Sequence, residues 1–498
     1  SEDELVGIIG EYDGLMIRSG TQVTATVIAA ASRLKIIGRA GVGVDNVDVP
    51  AATQRGVLVV NSPEGNTIAA AEHALAMMLS LSRHVPQANA GMRAGKWDRK
   101  KYVGNELYKK TLGVVGLGKI GSHVAKVAQA MGMDVIAYDP FIAADRAKQM
   151  QVKLLELDEL FRTADYVTLH IPRTKDTENL VNADLLRTMK PTARIVNCAR
   201  GGVVDEAAIS EAINQGVIAG AGLDVYASEP LAEDSPLRAV ERGLVLTPHL
   251  GASTEEAQEN VAIDVAEQIR DVLLGLPARS AVNIPGLSAE IMERLKPHLQ
   301  LSETVGLLVS QLAGGHVKEM ELRLQGEFAS HPSQPLVIAA LKGLLSAALG
   351  DSINFVNASL EAKARGIQVL EVKDESSRDF AGGSLQITTR GDQGDRCVTG
   401  AVFADGELRI TSIDEFPVNV SPSRHMLFTR HRDMPGIIGH LGSMMGEHNV
   451  NIASMQVGRK IVRGDAVMVL SIDDPIPAEL LQKITAIDGI QEAHPVTL

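Results

Sequence analysis

The 498-residue chain is poor in aromatic side chains, with Phe, Trp and Tyr at 3% and a single Trp. Its core must therefore be assembled from Val, Ile, Leu, Ala and Met. Cysteine is scarcer still: Cys198 and Cys397 stand far apart and in no metal-ligand spacing. That excludes a disulfide framework and suits a reducing compartment, so cytoplasm is expected, or a plastid if a transit peptide precedes these residues. Basic residues number 48 against 61 acidic, a net charge of −13. This balance disfavours nucleic acid and anionic membranes as partners, while a local cationic patch could still hold a small anion. Long apolar runs are also lacking: the stretch 68–81 is interrupted by Glu72 and His73 and is too short to span a bilayer.

What is present is an alternation of elements over a chain too long for one core, which implies three or four domains. Short apolar strands at 15–17, 34–38 and 57–60 alternate with helical patterns, and a long helix follows with Ile68, Ala71, Leu75 and Met78 at helical spacing. From Thr111, strands TLGVVG, DVIAYD, YVTLHIP, ARIVNCA, AGLDV and LVLTP are separated by helices. That pattern implies a parallel sheet covered on both faces. Ser253 and Glu256 form a capping-box pattern at the head of another long helix, with Val261, Val265, Ile269 and Leu273 on its apolar face. PARSAVNIPGLS reads as a linker. Helices and then strands (SLQITTRG, CVTGAVFADGELRITSI) follow, and from His425 the order is β-α-β-β-α-β.

The strongest local motif is Gly116-Leu117-Gly118-Lys119-Ile120-Gly121, between an apolar strand and a helix. That is the context of a dinucleotide fingerprint. Gly116 permits the tight turn, Gly118 the approach of backbone to a pyrophosphate, and Gly121 close packing of helix on strand. The helix start, at Lys119 and Ile120, offers N–H groups to phosphate. Asp139 ends the next strand, where a carboxylate binds the adenosine ribose and repels an extra phosphate, so NAD is the expected cofactor.

Arg200, Asp224, Glu229 and His249 follow the ends of later strands, where ligands bind in open parallel sheets. Oxidising a 2-hydroxy acid needs a base for the hydroxyl proton, and histidine suits neutral pH. His249 takes that role, Glu229 fixes its tautomer, and Arg200 offers a planar fork to the substrate carboxylate. Asp224 has two readings, a cofactor contact or a bond to backbone at a strand end. His170 reads as wall or cofactor contact, and His73, on an apolar helix, as a satisfied structural histidine. No metal is expected.

NCARGGVVDE, AGLDVYASEP and TPHLGAST, with the glycine loop upstream, resemble the signature blocks of the D-2-hydroxyacid dehydrogenase family. The spacings 200–229 and 229–249 match its Arg/Glu/His set, and the resemblance adds Cys198 to the cofactor contacts. LMIRSGTQVT, IIGRAGVGVDNVD and NSPEGNT are similar to the long-form D-3-phosphoglycerate dehydrogenases within that family. This implies substrate contacts at Arg18, Ser19, Arg39, Gly41, Val42 and Gly43; two cations and a backbone nest suit a phosphate. Arg99, followed by Lys100 and Lys101 beside Trp97, is implied to approach a partner subunit's active site in a homodimer or homotetramer.

The implied reaction is NAD-dependent oxidation of 3-phosphoglycerate at the entry to serine synthesis. Reduction of another 2-oxo acid such as 2-oxoglutarate is the alternative, and an NAD-sensing interaction protein the rival of a different class. The terminal segment resembles an ACT domain, which implies an L-serine effector at His431, Asp433 and Asn451, or a dimerisation module without ligand. The fold class expected is α/β. It comprises a discontinuous flavodoxin-like substrate domain (1–65, lacking its first strand, and 253–282) and a Rossmann-type doubly wound NAD domain (66–252). An α+β intervening domain (283–422) and a ferredoxin-like ACT domain (423–498) complete it.

Overall fold

A computed structural model describes residues 1–285, 289–375, 383–404 and 406–498. The end of the linker reading, 286–288, and residue 405 of the strand pattern lie outside the described residues. The chain forms two compact units: Ser1–Gly38, Val44–Val60 and Gln268–Leu498 in one, Arg39–Gly43 and Asn61–Glu267 in the other.

The second unit is built on a seven-stranded parallel sheet. Its strands stand in the order Leu244–Leu246, Gly220–Leu223, Arg194–Asn197, Tyr166–Leu169, Thr111–Val115, Asp134–Tyr138, Lys153–Leu154. The direction of winding reverses between Thr111–Val115 and Tyr166–Leu169, and such a reversal opens a crevice at the carboxyl ends of the strands. Every residue of Tyr166–Leu169, Arg194–Asn197 and Gly220–Leu223 is buried, as helices on both faces require. The two-residue strand Lys153–Leu154 is too short to leave a periodic signal.

The helix Thr67–Arg83 buries Ala71, Leu75 and Met78 as its spacing predicts, but Ile68 is 51% exposed because the buried stripe begins only at Ala70. The helix Glu255–Leu273 also departs from expectation at its start. Thr254 Oγ1, not Ser253, accepts the Ala257 N–H at 3.1 Å, so the cap lies one residue later and no Glu falls at the reciprocal position. Val261 and Val265 are buried, whereas Leu273 at the helix end is 41% exposed.

A three-stranded sheet (Gly14–Ile17, Ile36–Arg39, Leu58–Asn61) carries the amino-terminal residues, all of it but Arg39 and Asn61 in the first unit, which holds the following sheets too. A six-stranded sheet runs Gln368–Asp374, Val317–Gln325, Ser384–Gly391, Gly394–Val402, Leu408–Ile413, Phe416–Val420, with one parallel pair at its edge. Helices Ala289–Ala313 and Ser333–Leu349 bury Leu301, Val305, Leu308, Leu336 and Leu341 against it. Among the described residues, Ser333–Ser352, within the helical stretch expected after the linker, is long and apolar enough to cross a membrane. Half of it is buried in this core, the ordinary state of a central helix.

The carboxyl-terminal sheet is antiparallel, in the order Ile452–Arg459, Asp465–Ile472, His425–Arg432, Ile490–Thr497, with helices Ile437–Glu447 and Ala478–Thr485 on one face. Alternation splits its side chains. Leu427, Met468 and Leu470 pack on those helices, while Met426, Phe428, Val467, Val469 and Val496 join the core of the six-stranded sheet. Arg396, 13% exposed, spans this join by bonding Asp414 at 2.7 Å and Glu492. The Gln311 amide likewise exchanges two hydrogen bonds with the Thr497 backbone.

Candidate active site

The glycine loop leaves Thr111–Val115 at the reversal of winding. Gly116 has φ +94°, and a Cβ there would stand 2.5 Å from the His170 carbonyl oxygen. A Cβ at Gly121 would lie 1.9 Å from the Gly116 carbonyl oxygen, so helix Lys119–Ala130 packs against the turn at a distance only glycine allows. At Gly118 nothing of the protein lies within 4 Å of such a Cβ. Gly116 and Gly121 thus stand where no side chain fits, and Gly118 has an open side with room for a ligand. Asp139 accepts N–H bonds from Leu117 at 2.8 Å and Phe141 at 2.9 Å, which ties the acid to the loop it faces. The Lys119 ammonium is paired with Glu64, and Ile120 lies half-buried in the helix's first turn.

The catalytic candidates lie one layer along the same sheet edge. Asn197 is in register with Leu223, and Leu223 with Leu246, so the loops carrying Arg200, Asp224 and His249 start at one level. His249 Nδ1 is 2.6 Å from Glu229 Oε2, and Glu229 Oε1 accepts the Tyr226 N–H. One ring nitrogen is thus fixed by a carboxylate, which leaves Nε2 for a substrate proton. The Arg200 guanidinium donates to the Ala199 carbonyl at 2.7 Å, while its own carbonyl accepts from Asn197.

His249 itself has φ +55°, a conformation uncommon for histidine that surrounding bonds must hold. They come from Asp224. Its backbone carbonyl accepts the His249 N–H at 2.9 Å; its carboxylate accepts N–H bonds from Leu250 at 2.8 Å and Gly251 at 2.9 Å. The Thr247 hydroxyl donates to Oδ1 at 2.5 Å, and His73 Nε2 lies 3.1 Å from the same oxygen. Asp224 is wholly buried, and although burial raises its pKa, bonds from His73, Thr247 and Leu250 outweigh this and hold it below the ordinary value. Of its two sequence readings, the bond to backbone is therefore observed. Sequence reasoning missed that this bond suspends the His249 loop, and that His73 takes part. The only signal for His73 was a histidine interrupting an apolar helix.

Cys198 lies beside this group, its thiol pushed well up by burial and then by the Asp224 charge. His73, Cys198 and Asp224 bring potential ligand atoms within 4.8 Å of one another, but both Asp224 oxygens already accept hydrogen bonds. Burial lowers His170 to about 4, and its Nε2 sits 3.0 Å from Thr168 Oγ1. Burial and the Asp224 charge raise Tyr226 to about 12; its hydroxyl donates to the Thr247 carbonyl at 2.8 Å.

The remaining candidates are placed as follows. Arg39 and the turn Gly41, Val42, Gly43 fall in the same unit as the catalytic trio. Gly41 has φ +148°, and a Cβ there would overlap Arg39 Nη1 at 1.5 Å, so glycine makes room for the guanidinium. Asn61 donates to the Val42 carbonyl and Ser62 N–H to that of Gly41, fixing the turn. Arg18 and Ser19 are exposed in the other unit, on a turn that Asn46 anchors by donating to the Arg18 and Thr21 carbonyls. Arg99 is exposed in a 3₁₀ turn, Arg99–Tyr102. In the carboxyl-terminal domain His431 is only 2% exposed, Asp433 is paired with Arg459 at 2.8 Å, and Asn451 donates to Asp473. Each effector candidate except buried His431 thus already holds a charged protein partner.

Comparison with known proteins decides the family. Residues 75–251 match the NAD-binding domain of D-isomer specific 2-hydroxyacid dehydrogenases, 294–414 the D-3-phosphoglycerate dehydrogenase intervening domain, and 425–489 the ACT domain. A D-3-phosphoglycerate dehydrogenase of a Synechocystis species is 62% identical over all of this chain and 90% of its own length. The chain belongs to the D-3-phosphoglycerate dehydrogenase family. Its Bacillus subtilis relative is 41% identical over 98% of this chain and 92% of that protein. Among solved structures, the TT0316 protein of Thermus thermophilus superposes with a TM-score of 0.53 at 37% identity, covering 56% of this chain and 89% of that one. D-lactate dehydrogenase of Escherichia coli gives 0.52 at 28% identity, over 57% and 89%. As a family member the chain is an NAD-dependent oxidoreductase.

Proposed function

We propose that the chain oxidises 3-phospho-D-glycerate to 3-phosphohydroxypyruvate with NAD, the first step of phosphorylated L-serine synthesis. The observation that carries the reading is the 2.6 Å bond between Glu229 and His249 at the sheet edge that also bears the glycine loop. NAD, when bound, supplies the hydride acceptor. His249 Nε2 takes the hydroxyl proton as the carbinol carbon is oxidised, and Glu229 stabilises the imidazolium that forms. Arg200 pairs with the substrate carboxylate and, in the reverse direction, polarises the carbonyl. Arg39 with the turn 41–43, and by family resemblance Arg18 and Ser19, recognise the anionic ends of the substrate. Asp224 positions the base, with Cys198 beside it.

The same reading extends to assembly and control: a homo-oligomer in which Arg99 serves a partner's site, and L-serine bound at the ACT domain near His431, Asp433 and Asn451. The test is NADH formation from 3-phospho-D-glycerate against unphosphorylated D-glycerate at saturating NAD. A strong preference for the phosphorylated acid supports the assignment; turnover of neither, despite NAD binding, sinks it.

A further inference from the structure

The dehydrogenase reading uses Arg200, Glu229 and His249 but leaves His73 idle, although His73 reaches the most deeply buried charge near the site. It projects from the helix Thr67–Arg83, its side chain 18% exposed. Its Nε2 lies 3.1 Å from Asp224 Oδ1 and 3.2 Å from Thr247 Oγ1. The Thr247 hydroxyl donates to Asp224, so the proton between His73 and these two oxygens belongs to the histidine, which donates to both acceptors.

The geometry makes that bond consequential. The Asp224 carboxylate is 0% exposed and accepts from four groups: Thr247, Leu250, Gly251 and His73. Three of the four lie on the loop that bears His249, and only His73 is fastened to a different element. A buried carboxylate offsets its lost hydration only by filling its acceptor places, and among those partners His73 alone donates from outside the loop. The loop is held in a costly shape, His249 at φ +55°, so its placement depends on the fixity of Asp224.

We infer that His73 is a positioning residue for the reaction: through Asp224 it clamps the loop Thr247–Gly251 to the long helix and so fixes where His249 presents Nε2. The inference rests on His249 being the base. It assigns His73 no contact with substrate or cofactor. Its loss slackens the loop, lowering turnover while the glycine loop keeps its hold on NAD.

The test compares His73→Gln with His73→Asn in the full chain, after turnover of the unsubstituted chain is in hand. The Gln amide reaches the position of Nε2 and still donates to Asp224; the Asn amide ends near Nδ1 and does not. H73N is expected to lower kcat at least tenfold with the Kd for NAD within about threefold, and H73Q to restore kcat to within about threefold. In a His249→Ala background, measured by single turnover, H73N is expected to add little further loss, because the base it positions is gone. Equal activity of H73N and H73Q, or full multiplication of the two losses in the double variant, overturns the inference. A chain that folds with neither amide marks His73 as a determinant of the fold alone, which overturns it too. No turnover by the unsubstituted chain with any hydroxy acid strikes at the dehydrogenase reading instead, so the two failures stay distinct.

Discussion

Gly118 and Gly121 stand three residues apart, yet substitution by alanine should separate stability from cofactor binding. At Gly121 the added methyl would meet the Gly116 carbonyl oxygen at 1.9 Å. That oxygen is backbone in a tight turn, so helix Lys119–Ala130 must lift away from strand Thr111–Val115. Forced overpacking of this kind costs about 3 kcal/mol. For a domain of this size that cost lowers the melting temperature by roughly 6–12 °C. At Gly118 the backbone is at φ −63° and ψ −163°, open to any residue, and nothing of the protein lies within 4 Å of the new methyl. G118A should therefore melt within about 1–2 °C of the unsubstituted chain, since a change that touches nothing stays within about 0.5 kcal/mol.

On the proposed reading, the methyl of G118A instead occupies the side that the pyrophosphate takes when NAD binds. NAD affinity, followed by calorimetry, should weaken at least about tenfold, a loss of roughly 1.4 kcal/mol. If G118A binds NAD as well as the unsubstituted chain, the pyrophosphate does not pass Gly118 and the assignment of this loop fails. If G121A melts normally, the turn is softer than its geometry implies.

Other outcomes follow from the site. Glu229→Gln keeps the shape but removes the charge opposite His249. A charge-assisted bond contributes about 1.5–3 kcal/mol, and with side chains 35% and 49% exposed the lower end applies, so kcat should fall roughly tenfold. An unchanged kcat would dismiss Glu229 as the partner of the base. Arg18→Ala should raise KM for the phosphorylated acid at least about tenfold and leave KM for D-glycerate nearly unchanged; equal effects on both would remove Arg18 from phosphate recognition. Asp224 is held below the ordinary carboxylate value, so its stabilisation is fully present above the unfolded pKa and fades as pH falls through the folded one. Asp224→Asn should therefore lower stability by about 3 kcal/mol at neutral pH, with the difference narrowing below about pH 4 in denaturant titrations. A constant difference across that range would mean the buried group is not ionised.

Much of the fold was legible because its signals are periodic or short-range. Six of the seven strands of the parallel sheet, all but Lys153–Leu154, announce themselves by apolar runs ending in polar turns, and the β-α-β-β-α-β order from His425 is found as read. The glycines were legible because each reports a local steric demand. Glu229 and His249 were read as partners from role and spacing, and their atoms meet. What escaped depends on atoms brought together across sequence. Asp224 looked ambiguous because its four acceptor bonds join residues 73, 247, 250 and 251, which no local pattern links. The cap at Thr254 escaped because Ser253 offers the same chemistry one residue earlier. The helix Ser333–Leu349 was read only as part of a helical stretch, its bounds unmarked, because small residues such as Ala339 and Gly343 dilute its apolar run, although they are what let it pack tightly.

The shared packing of the two carboxyl-terminal sheets bears on how such a chain can be cut and recombined. Family boundaries fall at 414 and 425, inviting a severed ACT module or its transplantation onto another enzyme. Yet the strand face bearing Met426, Phe428, Val467, Val469 and Val496 is one wall of the neighbouring domain's interior. Severed there, the small sheet would bare five apolar side chains and strand Glu492 without Arg396, while the remnant would lose Arg430 and Lys460 from over the Phe416 ring. The heritable unit of sequence and the independent unit of folding thus differ in this chain. A working graft must carry everything from the helix Ala289–Ala313 onward, or else repaint one face of the sheet with polar residues.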